Sequence, residues 1–339
     1  MHIKKPSLSV RFLISIATIT LMLILLIFPK SSIKGAENGI LLWFNVIVPT
    51  LLPFIIVSNL IINLKLTTAI AKLFYPVLHK LFAVTRNGCY VIIIGLLTGF
   101  PVGAKACSDL VKNKMLSKEE GQYLLTYCNN ASPMFIISYI SILTLKLSGM
   151  QFQVLGIIYL SAILTALLYR FVHRIHLKTF TAPDDIKTTE RITLKAADLP
   201  RKFAPSEPPK RITFSIVDGA IMDGFDVITK VGGYIILFSI LSNVILSILP
   251  MRSLYSLISV GILEITNGIN AIGGSAFSLA TKIALILPIT AFGGISSIAQ
   301  TKSVIDQSGL SIRRYIFYKV INALITFLLT FLFIELCKF

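Results

Sequence analysis

The sequence predicts an all-α polytopic membrane protein built as an inverted structural repeat with two re-entrant helical hairpins. Three observations lead there. The first is composition: of 339 residues, 55% are hydrophobic and 14% charged, against a usual charged share of about 25%, and mean hydropathy is +0.83. The second is that the basic residues fall mostly between apolar runs. The third is that short polar interruptions recur in the same order in the two halves. A water-soluble chain of this length leaves too wide a solvated surface for such apolar content. An ordinary soluble enzyme, a disordered protein and a disulfide-stapled secreted domain are therefore excluded.

The charge balance is 32 Lys+Arg against 15 Asp+Glu, a net +17. With no basic folded domain to present it, this charge reads as a positive-inside bias, and no nucleic-acid partner is expected. Cys89, Cys107, Cys128 and Cys337 are scattered without a CxxC pair and read as buried thiols.

Four segments follow in order: an N-terminal transmembrane anchor (1–35), a first membrane repeat with its connecting span (36–172), a basic cytoplasmic linker (173–212) and a second membrane repeat (213–339). In the anchor, Lys4, Lys5 and Arg11 precede an apolar run over 12–28 that ends in Pro29-Lys30, without a small-residue cleavage site. The span over 40–64 carries Pro49 and Pro53. Residues 66–84 hold Lys72, His79 and Lys80 among apolar residues and read as an interfacial helix. The apolar stretch 88–100 has thirteen residues, about 20 Å of helix against a hydrocarbon core of about 30 Å. It ends at Gly99-Phe100-Pro101-Val102-Gly103 and gives way to an amphipathic arm, which predicts the first hairpin near 88–115.

Spans follow at 122–145, interrupted by Asn129-Asn130-Ala131-Ser132-Pro133, and at 151–172. The linker, with nine Lys/Arg, five acids and several prolines, forms a poor core. The second half reads as an interfacial helix (215–230), a span (231–249), a stretch broken at Asn267-Gly268, a second hairpin near 275–309 with Gly293-Gly294-Ile295-Ser296-Ser297 at its tip, and a last span from Arg314. Thr98-Gly99-Phe100 aligns with Thr290-Ala291-Phe292, and Asn130-Ala131 with Asn322-Ala323, both offset by 192 residues. Positive-inside counting orients the halves oppositely, a design that places a substrate site where broken helices meet near the midplane.

The candidate substrate-binding residues are Pro101, Gly103, Lys105, Asn129, Asn130, Ser132, Glu264, Asn267, Ser296 and Ser297. Lys105 lies just past a tip expected to reach the membrane interior, where a charge is costly unless paired; a lysine snorkelling to water is the plain alternative. Glu264 stands in an otherwise uncharged stretch and could hold a polar substrate group, a cation or a proton, or simply neutralise Lys105 or Lys282. Asn129, Asn130 and Ser132 interrupt a span, and Ser296, Ser297 and Gln300 are the corresponding polar set of the second half. Asp218, Asp223 and Asp226 fit a solvated face as well as a cation site. His173 and His176 lack an HExxH context, and there is no GxSxG elbow or P-loop. No enzymatic activity, metal or organic cofactor is expected, and a coupling proton or cation is left open.

The runs Gly99-Phe-Pro-Val-Gly-Ala-Lys105, Ser117-x-x-Glu120 and Cys128-Asn-Asn-Ala-Ser-Pro-Met-Phe135 resemble the signature of the YlbJ-type sporulation integral membrane proteins, as do Pro49-x-x-x-Pro53-Phe54 and Leu263-Glu-Ile-Thr-Asn-Gly268. That family falls in a wider nucleoside-recognition (gate-domain) group, similar to concentrative nucleoside transporters in having two re-entrant hairpins. The resemblance implies a role in sporulation: transport of dipicolinic acid into the developing forespore across the outer forespore membrane. Lipid bilayer, a small-molecule substrate, further copies of the chain and other sporulation membrane proteins are the implied partners. A transporter of nucleosides or another metabolite, and a non-transporting gate or scaffold subunit, are the alternatives.

Overall fold

The computed structural model describes residues 8–64, 66–176, 180, 214–248 and 253–338. It is all-helical, 83% helix, with no strand among the described residues. The helices are α1 (Leu8–Ile27), α2 (Pro29–Leu42), α3 (Val48–Asn63), α4 (Leu66–Phe82), α5 (Arg86–Thr98), α6 (Val102–Lys112), α7 (Lys118–Leu125), α8 (Gln151–Val172), α9 (Phe214–Ile248), α10 (Leu254–Leu263), α11 (Ile265–Gly273), α12 (Leu279–Phe292), α13 (Gly294–Ile305) and α14 (Ile312–Cys337). Two π-helical stretches, Trp43–Ile47 and Phe135–Thr144, complete the set.

Among the described residues, four stretches are long and apolar enough to cross a membrane: Gln151–Val172, Phe214–Ile248, Leu279–Ile305 and Ile312–Cys337. Counting two sharply bent helix pairs as one span each raises the number to six. Large apolar side chains such as Phe12, Leu73, Phe152, Phe171, Phe327 and Leu332 project outward, which a lipid surround accommodates and water does not. Most of 173–212 lies outside the described residues.

The bends have local causes. Pro29 opens α2, and the chain turns by 108° there, because the proline ring does not continue the preceding helix. Pro49 has no N–H to donate back to Asn45. The chain takes a π-turn just before it, with Val48 N–H donating to the Trp43 carbonyl. α9 is one continuous 35-residue helix, about 52 Å long at 1.5 Å per residue, where an interfacial helix followed by a separate span was expected. α2 lies along it with no gap: a Cβ on Gly35 or Gly39 would strike the backbone of Ile240 or Ile236. This is the small-xxx-small spacing of membrane helix contacts.

Two short helix pairs fold back on themselves. α5 ends at Gly99 (φ 73°), the chain turns through Phe100-Pro101, and α6 returns so closely that a Cβ on Gly103 would come within 3.0 Å of the Gly95 Cα. α10 ends at the extended Glu264, and α11 returns with Gly268 against Gly261, again backbone to backbone. The second fold-back is therefore α10–α11, not 275–309. α12 and α13 run on together as the stretch Leu279–Ile305, long enough to cross, interrupted only at Gly293-Gly294 (φ 91° and 75°). Glycines that let two backbones touch mark the fold-back; the Gly-Gly pair at 293–294 only interrupts a stretch long enough to cross. The close-packed glycines of the two fold-backs, Gly95 and Gly103 against Gly261 and Gly268, stand about 165 residues apart, not at the expected offset of 192.

The fold-backs enter from opposite ends. The Gln122 side chain bonds the Ser311 backbone in both directions (2.6 and 3.2 Å), so the starts of α7 and α14 share the end where α5 begins and α6 finishes. Arg170, near the end of α8, donates to the Lys80 and Leu81 carbonyls, joining the linker attachment to that same end. At the far end, Gly273 closing α11 packs on Thr144.

These contacts make two opposite outcomes expected. Gly268→Val forces a branched side chain into the Gly261 backbone and should cost at least about 3 kcal/mol. Gly156→Ala, whose Cβ meets open space, should change stability by no more than about 0.5 kcal/mol. Thermal stability of the detergent-solubilised chain, followed by size exclusion, measures both; equal effects would contradict the described fold-back.

Candidate functional site

Each fold-back tip rests on an interrupted helix. At the first, Phe100 N–H donates to the Asn130 carbonyl (2.9 Å), and Gly99 lies against the backbone of Asn130 and Ser132. At the second, Gly294 lies against the Ile262 carbonyl and Ile265. Breaks at these points leave helix-end amides and carbonyls unpaired; the first tip supplies part of what its facing break lacks through the Phe100 N–H, and the second packs closely on its break. The first tip also reaches the second break: a Cβ on Gly293 would meet the Phe100 ring at 3.2 Å.

Where they meet is a cavity of about 70 Å³ lined by Phe100, Ser132, Glu264, Ser296 and Ser297, with Ile47 and Val231 among its apolar wall. Helix ends converge here: the C-termini of α5, α10 and α12 and the N-termini of α11 and α13. Glu264 is 3% exposed. Its carboxylate accepts from Asn267 N–H (2.7 Å), Asn267 Nδ2 (3.0 Å) and Thr266 Oγ1 (3.0 Å), so it caps α11 as well as facing the cavity. No donor of opposite full charge reaches it among the described residues.

Two larger cavities flank the site. One, of about 350 Å³, shares Val227, Val231 and Gln300 with the central cavity and is lined further out by Pro101, Lys105, Asp109, Asp223 and Lys230. The other, of about 430 Å³, lies beyond Glu264 and is lined by Asn38, Asn45, Asn243, Asn267 and Asn270. The first has both charge signs; the second presents amides.

The singled-out residues therefore divide. Ser132, Glu264, Ser296 and Ser297 line the central cavity; Asn267 reaches it through Glu264 and faces the amide-lined cavity. Pro101 and Lys105 line the charged cavity. The expectation of a deeply buried Lys105 is corrected: its side chain is 60% exposed and pairs with Asp109 one turn on (2.7 Å). The turn at Pro101 aims α6 outward, so the lysine faces the cavity mouth. Gly103 serves close packing, since a Cβ there would fall on the Cys128 carbonyl.

Asn129 and Asn130 stand behind the cavity. Asn129 Nδ2 donates to Thr301 Oγ1 (2.8 Å) and to Tyr315 OH (2.9 Å), tying the first break to α13 and α14, while its Oδ1 is buried without a partner in the structure. Asn130 Oδ1 accepts from Lys319 Nζ (3.0 Å). Lys319 is the residue that sequence reasoning missed. It is 0% exposed, yet it lies five residues after Arg314 and reads as one more flanking cation of the last span. The signal that could have found it is the spacing of Tyr315, Lys319, Asn322, Thr326 and Thr330, one polar stripe along an apolar helix, all buried. The stripe meets α8 through Thr326–Ser161 (2.7 Å) and Thr165–Asn322 (3.3 Å).

Glu120 is a second buried carboxylate, 1% exposed, outside the cavity. Ser117 Oγ accepts from Glu120 N–H (3.1 Å), half of a capping box. The glutamate side chain instead turns to Thr85, accepting from its N–H (2.7 Å) and hydroxyl (3.0 Å). It thereby clamps the start of α5. Glu120→Ala should destabilise the chain by about 1–3 kcal/mol, the cost of an orphaned buried donor. Lys105→Ala, breaking an exposed pair, should cost under about 1 kcal/mol. Thermal denaturation of the two variants in the same detergent distinguishes them, and a reversed order would contradict this placement.

No protein-family model and no solved structure matches the chain. Over 312 residues it is 24% identical to the sporulation integral membrane protein YlbJ of Bacillus subtilis (strain 168), covering 87% of this chain and 75% of that protein. Similarity spread over most of both chains supports a YlbJ-type assignment for this membrane protein.

Proposed function

We propose that the chain is a membrane transporter of a small carboxylate, dipicolinate carried into the developing forespore, with the central cavity as its substrate site. The observation that carries this reading is the convergence of two fold-back tips and two interrupted helices on one cavity. In this reading α5–α6 and α10–α11 are re-entrant hairpins entering from opposite membrane faces. The segments α5–α8 and α10–α14 are then inverted repeats, the arrangement of concentrative nucleoside transporters. Interrupted backbone at membrane depth is tolerated where it lines a cavity, and half-helix ends facing one another form substrate sites in transporters built from such repeats.

The positive-inside bias of the basic linker supports a cytoplasmic position for the start of α5 and the end of α6. The charged cavity then opens to the mother-cell cytoplasm and the amide-lined cavity to the opposite face. The proposed location is the outer forespore membrane. A planar dicarboxylate suits the apolar wall, the Ser296 and Ser297 hydroxyls and the α13 N-terminus, which favours an anion. Similarity to a sporulation protein supports the setting.

Glu264 favours a second reading. A buried carboxylate facing the cavity also suits a hydroxyl-rich neutral substrate such as a nucleoside, or a coupling proton or cation.

Full-length protein in liposomes, given radiolabelled dipicolinate or uridine in separate assays, tests the choice. Dipicolinate uptake above that of protein-free vesicles, without uridine uptake, is the expected result; uridine uptake alone would transfer the site to the second reading. If Glu264 carries the coupling proton, Glu264→Gln should abolish stimulation by an imposed pH gradient while leaving exchange of internal for external substrate.

A further inference from the structure

We propose that Lys319 is the counter-charge for a substrate carboxylate, screened from the central cavity by the ring of Phe100; this rests on the carboxylate-transport reading above. Lys319 is fully buried. Its ammonium donates to Asn130 Oδ1 (3.0 Å) and more weakly to the Asn129 carbonyl (3.4 Å), both neutral oxygens. Among the described residues no carboxylate makes an ion pair with it. An ammonium taken out of water is costly unless an opposite charge compensates, and an ionisable group inside a membrane bundle commonly marks a substrate or ion path.

What covers it is an aromatic ring. Lys319 Nζ stands over the Phe100 ring, 5.5 Å from its centroid, within cation–π reach. The same ring lines the central cavity and touches Gly293 on the facing break. Phe100 thus borders both the ammonium and the substrate space.

The cavity volume gives the ring a reason to move. About 70 Å³ holds only a few water molecules, whereas sites for small metabolites usually span about 300–1,000 Å³. Phe100 sits at a tip, beside Gly99 in the left-handed region, with its backbone N–H held by the Asn130 carbonyl. A rotation of its side chain leaves that bond intact, widens the cavity and uncovers Nζ. An entering carboxylate then replaces a quadrupole with a full negative charge. A second carboxylate on the same ligand would face Ser296, Ser297 and the α13 N-terminus.

The test compares dipicolinate with its neutral diamide, pyridine-2,6-dicarboxamide, for binding to the purified full chain. The wild type should prefer the dicarboxylate, and Lys319→Met should lower that preference at least tenfold, with Lys319→Arg retaining most of it. A merely structural lysine would weaken both ligands alike, so an unchanged preference in folded Lys319→Met overturns the assignment while leaving the transport reading intact. Should Lys319→Met fail to fold, Phe100→Ala decides: several-fold faster dipicolinate association is expected, and an unchanged rate overturns the screen. A wild type that binds neither ligand removes the transport reading and this assignment with it.

Discussion

The structure depends on backbone packing against backbone where helices are interrupted. Four helix breaks or turns come together in its middle, at Gly99–Pro101, Asn129–Ser132, Glu264 and Gly293–Gly294. Each exposes peptide groups that lipid cannot hydrogen-bond. Each tip docks on a facing break, with the Phe100 N–H bonded to the Asn130 carbonyl at the first, and such close approach requires residues without side chains. Gly95, Gly103, Gly261, Gly268 and Gly294 all stand at such contacts. The central cavity is what remains between the docked pieces, so its lining and its packing have one origin.

That arrangement explains which features were legible in the sequence. Hydropathy alone marks Gln151–Val172 as a crossing helix, because nothing but apolar length is required of it. In the second half two local sequence signals point away from the fold. Gly293-Gly294 has the composition of a tip but serves as an interruption, and Asn-Ala and Thr-x-Phe identities favoured a 192-residue offset over the glycine spacing. Whether two arms fold back depends on contacts seven or eight residues apart across a turn, and one-dimensional hydropathy carries no trace of these. Interfacial and spanning helices merged in α9 for a related reason: nothing in its sequence breaks the helix, and amphipathic character changed along it without a boundary.

The charged residues show the same limit. Ser132, Glu264, Ser296 and Ser297 were recognisable as polar residues in apolar surroundings, and they line the cavity. Lys105 drew attention for the same reason, yet a single turn at Pro101 directs it to a cavity mouth, where it pairs with Asp109. Lys319, close to Arg313 and Arg314, looks like a flank, and only its place on a buried polar stripe distinguishes it. The interior consequently holds both Glu264, which shares the central cavity with Phe100, and Lys319, over the Phe100 ring, each held by neutral partners rather than by the other. In the proposed transporter, that separation leaves both charges available to a ligand or a coupling ion.

Membrane topology tests the central claim most directly, since the fold-back assignment fixes which loops share a face. Single cysteines at Ala276 and Gln307, both exposed and at the two ends of Leu279–Ile305, can be labelled with a membrane-impermeant maleimide from either face of oriented vesicles. The account predicts labelling from opposite faces, Gln307 from the face that bears the linker. Labelling of both from one face would make 279–305 the hairpin, dissolve the meeting of the two tips, and contradict the site built on it.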